Sequence, residues 1–253
     1  MSKVVFEKNS VFIDGTPIQI ISGAIHYFRV PHELWRDRLE KLVQCGFNCV
    51  ETYMCWNLHE PKEGQFDFNG DLDFEAFIRL AQELGLYVIV RPGPYICAEW
   101  DNGGLPYWLM TKKDIEFRRT NEPYLAAIKN YYSVIVPKIA ALQIDNGGPV
   151  IAIQIENEYG SYGHDKEYLR TLRQMYVNSG VTVPMFTADG GADICVQGGI
   201  LEDAPLCLTF GSRGLENFAL GKKYRPDDPS FCMEFWVGWF NAWGRKSGYG
   251  RPA

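Results

Sequence analysis

The sequence has no CxxC pair, no HExxH motif and only four histidines, at 26, 32, 59 and 164. The ligand spacings of a zinc site are missing, which argues against zinc. There is no basic run, and the net charge is −6. That is the wrong sign for a protein that tracks nucleic acid backbones. No apolar stretch approaches the ~20 residues of a membrane-spanning helix. Residues 1–8 do not build the apolar core of a signal peptide either. A GxGxxG loop is absent after the first apolar run, where Ser22-Gly23-Ala24 stands instead; this speaks against a doubly wound nucleotide-binding sheet. The seven cysteines, 45, 49, 55, 97, 195, 207 and 232, are odd in number and scattered. They lack the pattern of a disulfide framework and read as buried thiols, which places the chain in the reducing cytoplasm.

What is present is an ordinary globular composition, 253 residues with 46% hydrophobic and 22% charged. That length suits one large α/β barrel or two modest domains. Residues 4–20 predict an opening hairpin turned at Asp14-Gly15. A strand–helix repeat then begins. Its strands are expected at 19–25, 47–53, 86–90, 149–155, 183–187, 204–210 and 230–236. Helices are expected at 32–45, at 72–84 opened by Asp71, at 123–142 with a kink or break at Pro137, and at 165–178. Nearly unbroken apolar strands imply a parallel sheet covered on both faces. Every strand runs into polar and aromatic residues, as in a (β/α)8 TIM barrel whose chemistry sits at the C-terminal mouth. Seven strands are found, and residues 237–253 carry no further apolar strand. The expectation is therefore a barrel without its eighth βα unit.

The fourth strand ends in Gln154-Ile155-Glu156-Asn157-Glu158-Tyr159-Gly160. Charges at the end of a buried strand are costly unless paired or used. By strict alternation Gln154, Glu156 and Glu158 share a face. Glu158 lies nearest the mouth, and Glu156 reads as a deeper, hydrogen-bonded support. Glu234 ends the seventh strand, across the barrel from the fourth. Two carboxylates over one pocket are the machinery of glycoside hydrolysis, one as acid and the other as nucleophile about 5–5.5 Å away in retaining enzymes. Each glutamate read alone fits a salt-bridged strand end better, and only the pair brings the two readings level. Other readings stay plain. Cys97 by type is a packed small residue, and Trp56, Trp100, Trp236 and Trp239 suit a pocket wall or a core equally. Arg29 orients a pocket carboxylate or makes a surface salt bridge. His26 and His59 read as core or loop histidines. Lys112-Lys113 and Arg118-Arg119 read as solvated charge.

The chain resembles the family 35 glycoside hydrolases, β-galactosidases of the retaining barrel clan. The resemblance is carried by SGAIHYFRVP at 22–31, ETYMCWNLHEP at 51–61, RPGPYICAEW at 91–100, GGLP at 103–106, GGPVIAIQIENEYG at 147–160 and MEFWVG at 233–238. It implies retaining hydrolysis of terminal β-galactose without metal or cofactor. Glu158 would be the acid/base and Glu234 the nucleophile. Tyr53, Cys97, Ala98, Glu99 and Asn157 would bind the sugar, with backbone atoms serving at Cys97 and Ala98, and Asn157 facing the 2-hydroxyl. Strict alternation turns Asn157 away from the pocket, so a local bulge is expected there. Family members continue through an eighth strand and further β-rich domains. The expectation is one catalytic domain cut short, with a hairpin at 1–18 and a barrel at 19–253. An inactive remnant, a sugar-binding fragment and another clan hydrolase such as a mannosidase or glucanase are the rivals. The implied partner is a β-galactoside, not nucleic acid or membrane, and the oligomeric state stays open.

Overall fold

The computed structural model describes residues 3–7, 9–236, 238 and 244. Three short antiparallel strands come first: β1 (Val4–Glu7), β2 (Ser10–Ile13) and β3 (Thr16–Ile18). The expected turn at Asp14-Gly15, both at positive φ, joins β2 to β3, and β1 pairs along the other edge of β2. The strand–helix repeat follows as β4 (Ser22–Ala24), α1 (Trp35–Gln44), β5 (Cys49–Tyr53), α2 (Trp56–His59), α3 (Phe74–Glu83), β6 (Tyr87–Arg91), α4 (Glu122–Ala140), β7 (Val150–Gln154), α5 (Lys166–Asn178), β8 (Met185–Gly190), α6 (Asp193–Gly199), β9 (Leu206–Phe210), α7 (Gly214–Tyr224) and β10 (Cys232–Phe235).

Strands β4 to β10 form one parallel sheet in sequential order. This is the seven-stranded incomplete barrel that the strand count predicts. Among the described residues β4 and β10 are its two edges. The inward face changes character along each strand. Near the strand starts it is apolar: Cys49, Ile89, Ile151, Ala152, Phe186 and Cys207 pack with Val4 and Val11 of the N-terminal sheet, which closes the barrel floor. One or two residues further on it is polar, with Glu51, Arg91, Gln154 and Thr209 all buried. The outward faces pack under the helices in the larger core, around Tyr27, Trp35, Phe77, Val88, Ile135 and Leu172.

Several local expectations are corrected. Asp73, not Asp71, caps α3, because its carboxylate accepts the Ala76 N–H; Asp71 instead accepts from His32. Helix α4 runs through Pro137 to Ala140, near enough to its end that little ladder remains to be lost. Besides the single turn α2 within the loop expected after β5, helices α6 and α7 were not expected. Gly198-Gly199 and Gly214 weaken their helical pattern, and α6 packs on the turn at 159–161 instead of standing alone. Cys45 is exposed rather than buried, while Cys49, Cys55 and Cys207 are buried as read.

Candidate active site

The turn after β7 decides the geometry. The strand ends at Gln154, and Glu156 and Glu158 both take left-handed backbone, at φ 59° and 45°. The alternation assumed from the sequence stops there, and no bulge within a strand is involved. A non-glycine residue in this region costs about 1–2 kcal/mol. Hydrogen bonds to β8 and to the loop after β6 over-determine the turn. Ile155 N donates to Phe186 O (2.8 Å), Glu156 N to Gly93 O (3.2 Å) and Glu158 N to Ala188 O (3.0 Å). Gly160 N donates to the Asp189 carboxylate at 2.8 Å. Gly160 is required: a Cβ there would meet the Cys195 carbonyl oxygen at 1.6 Å.

The turn swings Asn157 into the barrel. Its Oδ1 accepts from Arg91 Nη2 (2.9 Å) and Gln154 Nε2 (3.1 Å), and the Tyr53 hydroxyl oxygen lies 3.0 Å away. Arginine only donates, so the atom facing Arg91 must be the oxygen and Nδ2 is left as a donor. Glu156 points the other way, as a support. Its carboxylate accepts two bonds from Arg118, each 2.8 Å, and one from the Asn157 N–H at 2.6 Å. Arg118 Nη2 also reaches the Asn157 carbonyl at 2.7 Å, with its guanidinium over the Tyr95 ring at 3.9 Å. Arg118 is therefore buried structure, not solvated charge. Arg119, Lys112 and Lys113 are surface ion-pair residues, facing Glu116, Glu63 and Asp114.

Arg91 organises the floor of the site. It is 1% exposed, and donates to Glu51 (3.0 Å), Gln154 (2.7 Å), Asn157 and Glu234. Register places Arg91 level with Tyr53 on β5, and Glu234 level with Thr209 on β9. Burial opposes the Arg91 charge, but Glu51, Tyr53 and Glu234 around it prevail and hold it protonated. Glu234 is fixed at both oxygens. Oε1 accepts from Arg91 and from the Tyr53 hydroxyl at 2.6 Å, and Oε2 from Trp236 Nε1 at 3.1 Å. Burial alone would raise its pKa, but Arg91 and these hydrogen bonds outweigh it, so Glu234 titrates below the ordinary glutamate value.

Glu158 has the opposite environment. Burial raises its pKa and the Glu234 charge adds to the rise, against the opposing Thr209 hydroxyl bond and the Arg91 and Arg118 charges. Two carboxyl groups whose surroundings push their pKa values apart can divide acid and nucleophile roles.

Glu158, Glu234, Tyr53, Cys97, Ala98, Glu99 and Asn157, all singled out from sequence, line one cavity of about 980 Å³. Cys97, Ala98 and Glu99 form a left-handed run at φ 56°, 55° and 45°, which folds this loop over the mouth. The cavity also reaches Ser22 and Ala24 on β4 and residues 232–235 of β10, so it opens along the gap between the edge strands. Trp236 is wall. Trp56 is core, stacked on Tyr131 at 4.7 Å. Trp100 is a support packed on Phe28, and Trp239 lies outside the described residues. His59 is a satisfied core histidine between Tyr27 and the Asp67 carbonyl. His26, in contrast, lines the cavity. Among the described residues Arg29 meets no carboxylate; it donates to His26 and to the Ala98 carbonyl.

Sequence reasoning missed Arg91, Glu51 and Thr209. Arg91 carried the same signal as Glu158, a charge ending an apolar run. Among the described residues, the one group of three side chains that could share a metal ion, His32, Glu33 and Asp71, is exposed and has no member in the cavity wall.

The family model described as glycosyl hydrolases family 35 matches residues 10–251. A beta-galactosidase of Bos taurus is 46% identical over 245 residues, 95% of this chain and 38% of the relative. A beta-galactosidase-1-like protein 3 of Rattus norvegicus is 45% identical over 234 residues, 92% of this chain and 37% of the relative. The chain thus spans under two-fifths of the length of these relatives. Among solved structures, an exo-beta-1,4-mannosidase from Opitutaceae bacterium strain TAV5 superposes with a TM-score of 0.63 at 16% identity, over 87% of this chain and 46% of that one. That likeness is one of fold.

Proposed function

This chain belongs to the glycosyl hydrolases of family 35, and from that premise we propose that it hydrolyses terminal β-galactosides with retention, through Glu158 and Glu234. The carrying observation is that the two carboxyl groups share one cavity and are displaced in opposite directions, Glu158 upward and Glu234 downward. Glu234, ionised and with both oxygens held, attacks the anomeric carbon. Glu158, protonated, gives its proton to the leaving oxygen. Glu158 then takes a proton from the water that releases the sugar. Arg91 and Tyr53 hold the nucleophile in line. Asn157 presents Nδ2, which has no partner among the described residues, to the sugar 2-hydroxyl. Glu99, exposed at the rim, accepts from sugar hydroxyls. Backbone atoms of Cys97 and Ala98 complete the wall.

Turnover of aryl β-galactoside, β-glucoside and β-mannoside by the purified chain tests this reading. Galactoside preference is expected, with losses of about 10²–10⁴-fold or more in Glu158→Gln, and near-complete loss in Glu234→Gln. A folded wild type that hydrolyses none of the three sinks the enzyme reading for this chain. A mannoside preference sinks the substrate.

A further inference from the structure

We propose that His26 is a substrate-binding donor, its Nε2–H bonding one hydroxyl of the sugar held between Glu158 and Glu234; the assignment rests on the galactoside reading above. His26 follows β4, at the mouth end of the first barrel strand, and lines the cavity. Arg29 Nη1 lies 2.5 Å from His26 Nδ1. A guanidinium has donors only, so Nδ1 is the acceptor and a neutral ring must carry its hydrogen on Nε2. Arg29 is itself fixed, bonded to the Ala98 carbonyl and stacked 5.0 Å over Trp100. The imidazole is held on two sides, stacked on Phe28 at 5.6 Å and edge-on to Tyr53 at 5.1 Å. Nε2 has no acceptor among the described residues.

The charged groups around the ring are Arg29, Arg91 and Glu234. Burial first, then the two arginines, lower its pKa to about 3 against the opposing pull of Glu234. The ring is thus a neutral donor of fixed orientation, in a wall that also carries the carboxylate acceptors Glu99 and Glu234. A site that spends a half-buried donor on a hydroxyl discriminates against the analogue that lacks it.

The test is calorimetric titration of the full chain with methyl β-thiogalactoside and its 2-, 3-, 4- and 6-deoxy analogues, which the enzyme does not cleave. Wild type, His26→Ala and His26→Gln are compared. Wild type is expected to lose affinity for one deoxy analogue that His26→Ala no longer distinguishes from the parent. The difference should lie between about 2- and 12-fold, the range of a neutral hydrogen bond. His26→Gln places an amide N–H near the Nε2 position and should restore part of that discrimination, whereas a purely space-filling role would not need it. If His26→Ala weakens the parent and all four analogues equally, His26 is only wall and the assignment falls while the galactoside reading stands. If wild type binds no thiogalactoside, both fall.

Discussion

Asp189→Asn probes the electrostatics of the site from behind. Asp189 lies on β8, adjacent to Ala188, whose carbonyl holds the Glu158 N–H. Its carboxyl packs against α6 so closely that a Cβ on Gly199 would sit 2.0 Å from both oxygens. Oδ1 accepts the Gly160 N–H at 2.8 Å, and Oδ2 is buried without a partner among the described residues. Burial drives this carboxyl up to about 7 from 3.8, with the Glu156 and Glu158 charges adding to it, against the Gly160 bond and Lys166. The folded chain therefore keeps a proton that the unfolded chain releases between 3.8 and about 7. Its contribution to stability is full below that window, falls as pH rises through it, and is constant above it. A displacement of about 3 pKa units costs roughly 4 kcal/mol above neutrality and roughly 2 kcal/mol near pH 5. Asparagine cannot ionise and keeps an acceptor for Gly160. Urea unfolding of both proteins should therefore show the variant gaining roughly 2.5 kcal/mol on wild type between about pH 5 and pH 8, on top of any fixed offset. The comparison removes the other titrating groups, His26 included, whose contribution has the opposite sign because its folded-state value is lowered. Stability curves that run parallel across this range would refute the reasoning.

Arg118→Gln leaves Glu156 buried without its cation, and guanidinium unfolding should show a loss of about 3–5 kcal/mol. kcat should fall too, because the same guanidinium holds the Asn157 carbonyl, and Arg118→Lys should recover little because an ammonium cannot make the fork. Gly160→Ala forces a methyl into the Cys195 carbonyl, and thermal melts should register a loss of at least about 1–3 kcal/mol. The pH profile of kcat/KM should be a bell. Its acid limb should fall below the ordinary glutamate range, because Glu234 must be ionised, and its alkaline limb above it, because Glu158 must be protonated. Thr209→Val removes a bond that favours ionised Glu158, so in a pH–rate titration the alkaline limb should move to higher pH.

The family motifs fall where chemistry fixes residue type, so the proposed catalytic pair and the five positions proposed to face the sugar could all be read from sequence, and all seven line the cavity. The supports could not. Arg118 stands in a run that looks like surface charge, and its burial comes from Tyr95, Tyr162 and Glu156, which are distant in sequence. His26 resembles a core histidine until Arg29 is seen to fix its tautomer. Helices α6 and α7 owe their place to packing, which overrides weak local propensity.

By itself, the sequence determined the alternation of apolar strands with helices, the parallel sheet it implies, and six of the seven strand ends to within one residue, β8 running on to Gly190 instead of ending at 187. Those properties follow from local periodicity and from the cost of burying charge. The tertiary structure alone decided how those ends face one another. Left-handed backbone at Glu156 and Glu158 cancels strict alternation, turning Asn157 inward and Glu156 toward Arg118. The conformation is costly for a single residue. It persists because hydrogen bonds from β8, the β6 loop and Arg118 converge on the turn, and only the folded chain brings those partners together.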